Sequence, residues 1–190
     1  MATTVSPPVL EAARRLAARD QLAGASMDEI AREAGVSRVT LYRRGETRAA
    51  IFDALREQLA REERELLLPI LARDGDARSR LILALEALCE SRDARSDLVA
   101  GLDAAARNEL FHEPGDDALT RSEFTAPIVR LLRDGALDGS LRRFDDVEEA
   151  ATVLYNQVCW TYQHLRRDHR WTAERAKRAV IDLAMTGAGA

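Results

Sequence analysis

Arginines are concentrated in one short segment near the N-terminus: Arg38, Arg43, Arg44 and Arg48. Residues 36–48 hold these four basic residues and one acid, Glu46, which gives a net charge of +3 (four less one). A guanidinium offers donors in a planar fork that matches phosphate oxygens and the major-groove edge of guanine. Val39 and Tyr42 lie among the arginines, and no acid stands nearby in sequence to pair with those arginines. This combination is unusual for a solvated helix. The segment is predicted to contact nucleic acid; a structural helical hairpin with a solvated face is the alternative.

The other reactive side chains form no pattern that indicates catalysis or metal binding. Cys89 and Cys159 are far apart, and the three histidines, His112, His164 and His169, are scattered. The chain has no glycine-rich phosphate loop, no Cys/His metal spacing and no Gly-x-Ser-x-Gly motif. We therefore expect no enzyme, no metal and no cofactor, with both cysteines buried as small apolar residues. The chain carries a net charge of −4, and residues 73–190 hold 17 basic and 21 acidic residues, so the positive charge is local.

The elements that would position the arginines are indicated by their caps. A capping-box pattern at Ser26 opens a helix, and Gly35 supplies the left-handed residue that ends it. Ser37 caps a second, short helix, which Gly45 ends. Small and apolar residues form the inner face of this pair: Ile30, Ala31 and Leu41. Together these features predict a helix-turn-helix.

Apolar periodicity along the whole chain predicts an all-α fold of about nine helices. The first begins at Ser6 and Pro7, and the second and third end near Ala34 and Arg44. The others are expected from Thr47 to about Leu68, through Leu81 to near Asp93, from Ser96 to near His112, from about Ala118 to Asp134, from Asp145 or Asp146 to about Leu165, and from Thr172 to about Met185. Pro69 and Pro127 are expected to kink or break their helices. Residues 134–135 and 138–139 are expected to form turns.

Residues 9–59 resemble the N-terminal domain of the TetR (tetracycline repressor) family of bacterial transcriptional regulators. The matching segments are 9–13 in the first helix, 26–31 in the second, 34–37 in the turn, 40–42 in the recognition helix and 47–51 in the fourth helix. The resemblance implies a three-helix helix-turn-helix DNA-binding domain at 1–48. A C-terminal helical bundle for effector binding and dimerisation would follow at 49–190.

The resemblance and the side-chain chemistry together assign contacts to double-stranded DNA. Arg38 suits guanine and Val39 a thymine methyl, with Ser37 on the same reading edge. Arg43 is left open between bases and phosphates. Phosphate contacts are expected from Thr40, Tyr42, Arg44, Thr47 and Arg48. Ser26 is expected mainly to cap its helix, with a phosphate contact as a second role.

Gly45 departs from the family, which usually has an aromatic residue at this position to pack the recognition helix against the fourth helix. Two consequences are open. The recognition helix would become fully ordered only on DNA, or another side chain, such as Phe52, would fill the gap.

The last two helices are expected to pair with those of a second copy. In the penultimate helix, apolar and small residues recur at spacings of four and three: Val147, Ala151, Leu154, Val158, Thr161 and Leu165. The final helix repeats Ala176, Val180, Leu183 and Gly187 in a similar rhythm. The alternative is that both stripes face only the core of their own chain.

Polar and aromatic residues among apolar ones are weak candidates for binding a small-molecule effector: Asn108, Phe111, His112, Phe124, Tyr155, Gln157, Trp160 and Tyr162. With no charged cluster among them, a mostly apolar effector is expected. The N-terminus has no signal-peptide pattern and no segment suits a membrane span, so a cytoplasmic location is expected. The predicted function is a ligand-responsive repressor that binds a palindromic operator as a homodimer. The alternative is a helical ligand-binding or adaptor protein that has lost DNA binding.

Overall fold

The computed structural model describes residues 5–19, 21–22, 24–94 and 104–188. Within these ranges every element is an α-helix, and there are nine: α1 (Pro7–Ala18), α2 (Met27–Glu33), α3 (Arg38–Arg43), α4 (Arg48–Leu71), α5 (Ala77–Ala94), α6 (Ala104–Phe111), α7 (Ser122–Asp138), α8 (Val147–Arg167) and α9 (Ala173–Ala188). The prediction of an all-α fold is confirmed. The expected cap at Ser96 lies outside the described residues.

Most helix starts follow the predicted caps. Ser26, Ser37 and Asp146 each accept a hydrogen bond from a backbone N–H in the first turn of α2, α3 and α8. Thr47 and Thr172 do the same for α4 and α9, at 3.2 and 3.3 Å. These bonds satisfy amides that have no partner within the helix. Ser6 is the exception, because it precedes α1 without a side-chain capping bond.

The prolines do not break their helices, and one glycine does not form the predicted turn. Pro69 lies inside α4, which continues to Leu71, and Pro127 lies inside an unbroken α7 that begins at Ser122 rather than near Ala118. A proline removes one backbone bond, and Pro127 is buried, so packing offsets that loss. Gly135 is helical rather than part of a turn. A Cβ there would lie 2.5 Å from Leu141 Cδ1, so glycine is needed for close packing.

The chain forms two compact units, the first containing residues 1–61 and 95–114 and the second residues 62–94 and 115–190. In the first unit α2 packs against both α1 and α3. In the second, α8 packs against α5, α7 and α9. No helix of the described residues combines the length and the apolar character that crossing a bilayer requires.

The core of the second unit contains a polar cluster from three helices. Arg92 donates to Glu63 Oε2 at 3.3 Å and also to the hydroxyl of Tyr155, and the Tyr155 hydroxyl lies 3.3 Å from the same carboxylate oxygen. All three residues are buried. Burial opposes the charge of Arg92, but Cys159, Tyr155 and Glu63 outweigh it and keep the arginine pKa well above its usual value. Burial also raises the pKa of Tyr155. The cluster thus holds an ion pair away from water.

Both cysteines are buried thiols outside any disulfide, as expected. Burial raises the pKa of Cys89 to about 12. A thiol with so high a pKa stays protonated at neutral pH and behaves as a small apolar group.

The stripe predicted on α8 is only partly buried, because Thr161 is exposed and Val147 and Leu165 are half-buried. Ala151, Leu154 and Val158 are buried within the protomer, because they face the neighbouring helices of the second unit. On α9, Ala176 and Val180 are buried too, whereas Leu183 is 67% exposed. Packing in the chain's own core therefore accounts for the buried positions, whereas Thr161, Leu183 and Gly187 are exposed, and pairing with a second copy stays a prediction.

Candidate nucleic-acid interface

The frame of the interface is the α2–turn–α3 pair and its small core. Ile30 and Leu41 are fully buried and Ala31 nearly so. The capping box predicted at Ser26 is present: Glu29 Oε2 accepts the Ser26 N–H at 2.7 Å and the hydroxyl at 2.8 Å. These bonds from Ser26 hold the pKa of Glu29 below its usual value. The start of α2 is thus fixed locally, and Leu41 fixes α3 on it.

Left-handed glycines close the C-terminal ends of both α2 and α3. Gly35 has φ 69° and Gly45 has φ 70°. In each turn the amide of the glycine and that of the following residue donate to carbonyls in the last turn of the preceding helix, at 3.0–3.1 Å. This pattern satisfies carbonyls that the helix itself leaves without partners. Turns of the same kind therefore precede and follow the recognition helix α3.

The outward face of α3 presents the residues expected to meet DNA. Val39 is 72% and Tyr42 63% exposed, although both are large and apolar or aromatic. The exposed members of the predicted set are Ser26, Ser37, Arg38, Val39, Tyr42, Arg43, Arg44 and Thr47, whereas Thr40 and Arg48 are half-buried. All ten residues lie in the first unit.

Hydroxyl groups in the set already serve as caps. Ser37 Oγ accepts the Thr40 N–H at 3.1 Å and lies 2.8 Å from Thr40 Oγ1. Thr47 caps α4. A hydroxyl can accept from one amide and still donate to a phosphate oxygen, so these caps leave the predicted contacts to DNA available.

Arg38 is held from two sides. Its guanidinium donates to Asp28 Oδ2 on α2 at 2.8 Å and to the Tyr42 hydroxyl at 3.4 Å, and it lies 5.4 Å from the centre of the Tyr42 ring. We expected no acid to pair with these arginines; Asp28, ten residues before Arg38, does so across the turn. No local pattern in the sequence indicates this pair. The pair restrains the Arg38 side chain at the surface of α3.

Arg48 has a role that the sequence did not reveal. It donates to the carbonyl oxygens of Ala25 at 3.0 Å and Leu22 at 3.4 Å, and its guanidinium lies 4.8 Å from the centre of the Phe52 ring. Its contact with a phosphate remains a prediction. Phe52 is buried and α3 is a regular helix, and both consequences drawn for Gly45 stay predictions.

The effector candidates are not gathered in one place. In the first unit Phe111 is buried, His112 half-buried and Asn108 exposed. In the second, the rings of Phe124 and Tyr155 lie 6.2 Å apart.

Three candidates in the second unit make other contacts. Trp160 donates to Asn156 at 2.6 Å. Tyr162 donates to Asp93 at 2.6 Å. Gln157 lines a cleft of about 770 Å³ on α8 and α9. Their binding of an effector stays a prediction.

Comparison with known proteins gives the family. Residues 9–55 match the model of the bacterial regulatory proteins of the tetR family. The N-terminal segment therefore carries the TetR-family domain. Comparison with curated proteins gave no significant match.

Solved structures of TetR-family and related regulators share the fold over nearly the whole chain. The transcriptional regulator FadR from Bacillus subtilis, in complex with stearoyl-CoA, has a TM-score of 0.71 at 17% identity, covering 95% of this chain and 97% of its own. The TetR-family regulator PfmR from Thermus thermophilus has 0.65 at 19%, covering 95% and 98%. A gamma-butyrolactone receptor described as ArpA-like has 0.67 at 20%, covering 96% and 86%. The chain thus carries a segment that matches the TetR-family N-terminal domain and shares the fold of these regulators.

Proposed function

We propose that this TetR-family regulator is a ligand-responsive repressor that binds a palindromic operator as a homodimer. The observation that carries the proposal is the outward face of α3, where Val39 and Tyr42 are exposed beside Arg38 and Arg43. A surface with exposed apolar and guanidinium groups, fixed by turns at both ends, suits base edges in the major groove. Arg44 and Thr47 flank it and suit phosphates.

A second copy is needed because one helix-turn-helix covers too few base pairs to define a unique site. The surface we propose for it is the outer side of α8 and α9, where Val153 is 57% and Leu183 67% exposed. Large exposed apolar residues of this kind are typical of interaction sites. The stripe first expected on α8 is not proposed as the dimer surface, because its central residues are buried.

An effector is proposed to bind within residues 49–190, and DNA to bind within residues 1–48. Support for a mostly apolar molecule comes from similar structures, one of which holds stearoyl-CoA and another of which is a gamma-butyrolactone receptor. Effector binding would change the inclination of α4 and so move the recognition helices of the dimer. Because its target is chromosomal DNA, the protein would act in the cytoplasm.

The test is selection of binding sites from fragmented genomic DNA, followed by fluorescence anisotropy on the selected sequence. We expect a near-palindromic site, bound much more tightly than random DNA at the same salt concentration. Arg44→Glu should abolish this binding, while Arg73→Glu, which reverses an exposed charge in the second unit, should not. Failure to enrich any sequence would favour a helical ligand-binding or adaptor protein that has lost DNA binding.

Repression by an effector has a separate test. Coupling between two binding sites is reciprocal, so operator DNA should weaken effector binding by the factor by which the effector weakens operator binding. Calorimetry with and without DNA measures that factor. Equal effector affinity in both conditions would contradict the mechanism and leave DNA binding intact.

A further inference from the structure

The turn between α3 and α4 contains a buried carboxylate that DNA recognition by itself does not explain. Glu46 is 1% exposed, and its Oε1 accepts the backbone N–H of Ser6 at 2.8 Å. Burying a carboxylate is costly unless it is well paired. A surface turn offers many positions where a glutamate would stay in water, so the burial of this one calls for a structural role.

The partner of Glu46 is a particular donor at the start of α1. Pro7 and Pro8 have no N–H, and the amides of Val9 and Leu10 both donate to the Ser6 carbonyl, at 3.0 and 3.1 Å. The Ser6 N–H is therefore the donor that α1 offers at its N-terminal end. A carboxylate there also meets the positive end of the helix dipole and forms a charge-assisted bond.

Arg48, two residues after Glu46, contacts the segment that follows the C-terminal end of α1. The Leu22 and Ala25 carbonyls to which it donates lie between α1 and α2. An acid thus binds an N–H before α1, and a base binds carbonyls after it. Glu46 lies in the turn that Gly45 begins and Arg48 is the first residue of α4, whereas Gly45 itself has no side chain to pack.

We propose that Glu46 and Arg48 form a polar clamp that fixes the recognition helix α3 relative to α1, and that both are positioning residues for operator recognition. The inference rests on the proposed DNA-binding function. The clamp acts on the orientation of the reading residues rather than on the attraction to phosphates. Its loss should therefore reduce operator binding and leave binding to random DNA unchanged.

A matched pair of variants at Ser6 isolates the Glu46 bond. Ser6 has φ −68° and ψ 144°, which proline adopts without strain, so Ser6→Pro removes the N–H and keeps the backbone. Ser6→Ala removes the same hydroxyl and keeps the N–H. We expect Ser6→Pro to weaken operator binding about tenfold, with the salt slope and the affinity for random DNA unchanged. Ser6→Ala should bind as the parent does.

Glu46 and Arg48 are tested by their own variants. Glu46→Gln keeps an acceptor and should restore most of the affinity that Glu46→Leu loses. Arg48→Ala should behave as Ser6→Pro does. A phosphate contact by Arg48 would instead weaken all sequences alike and lower the salt slope by about one; that result would remove Arg48 from the clamp. Equal operator affinity of Ser6→Pro and Ser6→Ala would overturn the proposal.

Hydrogen exchange separates failure of the clamp from failure of the proposed function. The Leu41 and Glu46 amides donate to backbone carbonyls at the start and the end of α3. Without DNA, these amides should exchange faster in Ser6→Pro than in Ser6→Ala, because local opening becomes easier. If no operator exists, this difference is still expected from the clamp. Identical exchange in the two variants would overturn it whatever the protein binds.

Discussion

Arg38 illustrates how a single exposed side chain is prepared for recognition. The Asp28 carboxylate and the Tyr42 hydroxyl each accept a hydrogen bond from its guanidinium, and these bonds use two of the five N–H donors of the fork. An arginine held in this way loses less side-chain entropy on binding than a free one. Asp28 is therefore expected to support base reading without touching DNA.

Arg38→Ala should relax base preference at one position of each half-site. A bidentate contact to guanine discriminates by about 1–3 kcal/mol, and the variant should lose that discrimination while other positions keep theirs. Anisotropy titrations against a panel of single-base operator variants measure it. Arg44→Ala is the control, since loss of a phosphate contact weakens every sequence equally and lowers the salt slope by about one. The same pattern in both variants would show that the roles are wrongly assigned.

Arg92 is the residue whose loss should cost the most stability. Arg92→Leu leaves Glu63 buried without its cation, and breaking a buried pair costs about 3–5 kcal/mol. Urea denaturation measures the free energy of unfolding. Arg133→Ala, which breaks the exposed pair with Glu148, should cost no more than about 1 kcal/mol. A similar loss in both variants would contradict the importance of burial here.

Helices of this chain were predictable where their ends carry local signals. The caps at Ser26, Ser37, Thr47 and Thr172 and the glycines that close α2 and α3 depend on residues within a few positions of each other. Gly135 misled the prediction because its role depends on Leu141, which packs back on α7. Long-range packing of this kind leaves no periodic trace in the sequence.

The last residue of α7 and the loop that follows it cap the start of α5, which is distant in sequence. Asp138 Oδ2 accepts the Ala77 N–H at 2.8 Å and Oδ1 the Ser140 N–H at 2.9 Å, while Ser140 Oγ accepts the Arg78 N–H at 3.1 Å. Bonds from Ser140 and Ala77 hold the pKa of Asp138 below its usual value. Residues 138–140 thus supply the start of α5 with acceptors.

Asp138→Asn should lower stability in a pH-dependent way. A carboxyl whose pKa is depressed in the folded state stabilises above its unfolded pKa, near 3.8, and this contribution is lost as the pH falls through the folded value. The variant should therefore be less stable than the parent at pH 7, with the difference shrinking below about pH 4. Thermal melts at several pH values test this. A difference that stays constant down to about pH 2 would show that the charge is not responsible.

At the scale of the whole molecule, the pairs that organise the site were beyond sequence reasoning. Ser6 and Glu46 lie 40 residues apart, and Asp28 pairs with Arg38 from a different helix. The residues proposed to read base edges could be named from the sequence because the chemistry of arginine, valine and tyrosine side chains is evident from residue type. Their supports were not found, because a glutamate or aspartate in a sequence does not indicate whether it is buried or which amide it meets.

Assembly is the prediction that belongs to the whole molecule. Val153→Arg and Leu183→Arg place a charge on the proposed dimer surface and should give monomers at micromolar concentration in analytical ultracentrifugation. Operator binding should fall with dimerisation, since each monomer reads one half-site. Leu137→Arg, at a residue 81% exposed on α7, is the control and should stay dimeric. Dimers in all three variants would place the interface elsewhere.

The exposure of the reading face has a consequence for how this protein diverges. Val39 and Tyr42 project into solvent from a helix that is held by Leu41 and by glycine turns at its ends. Substitution of exposed residues away from such supports usually changes folding stability by less than about 0.5 kcal/mol. If these residues read DNA as proposed, a descendant of this gene can exchange them, and with them the promoters it recognises, without first acquiring compensating changes in its core.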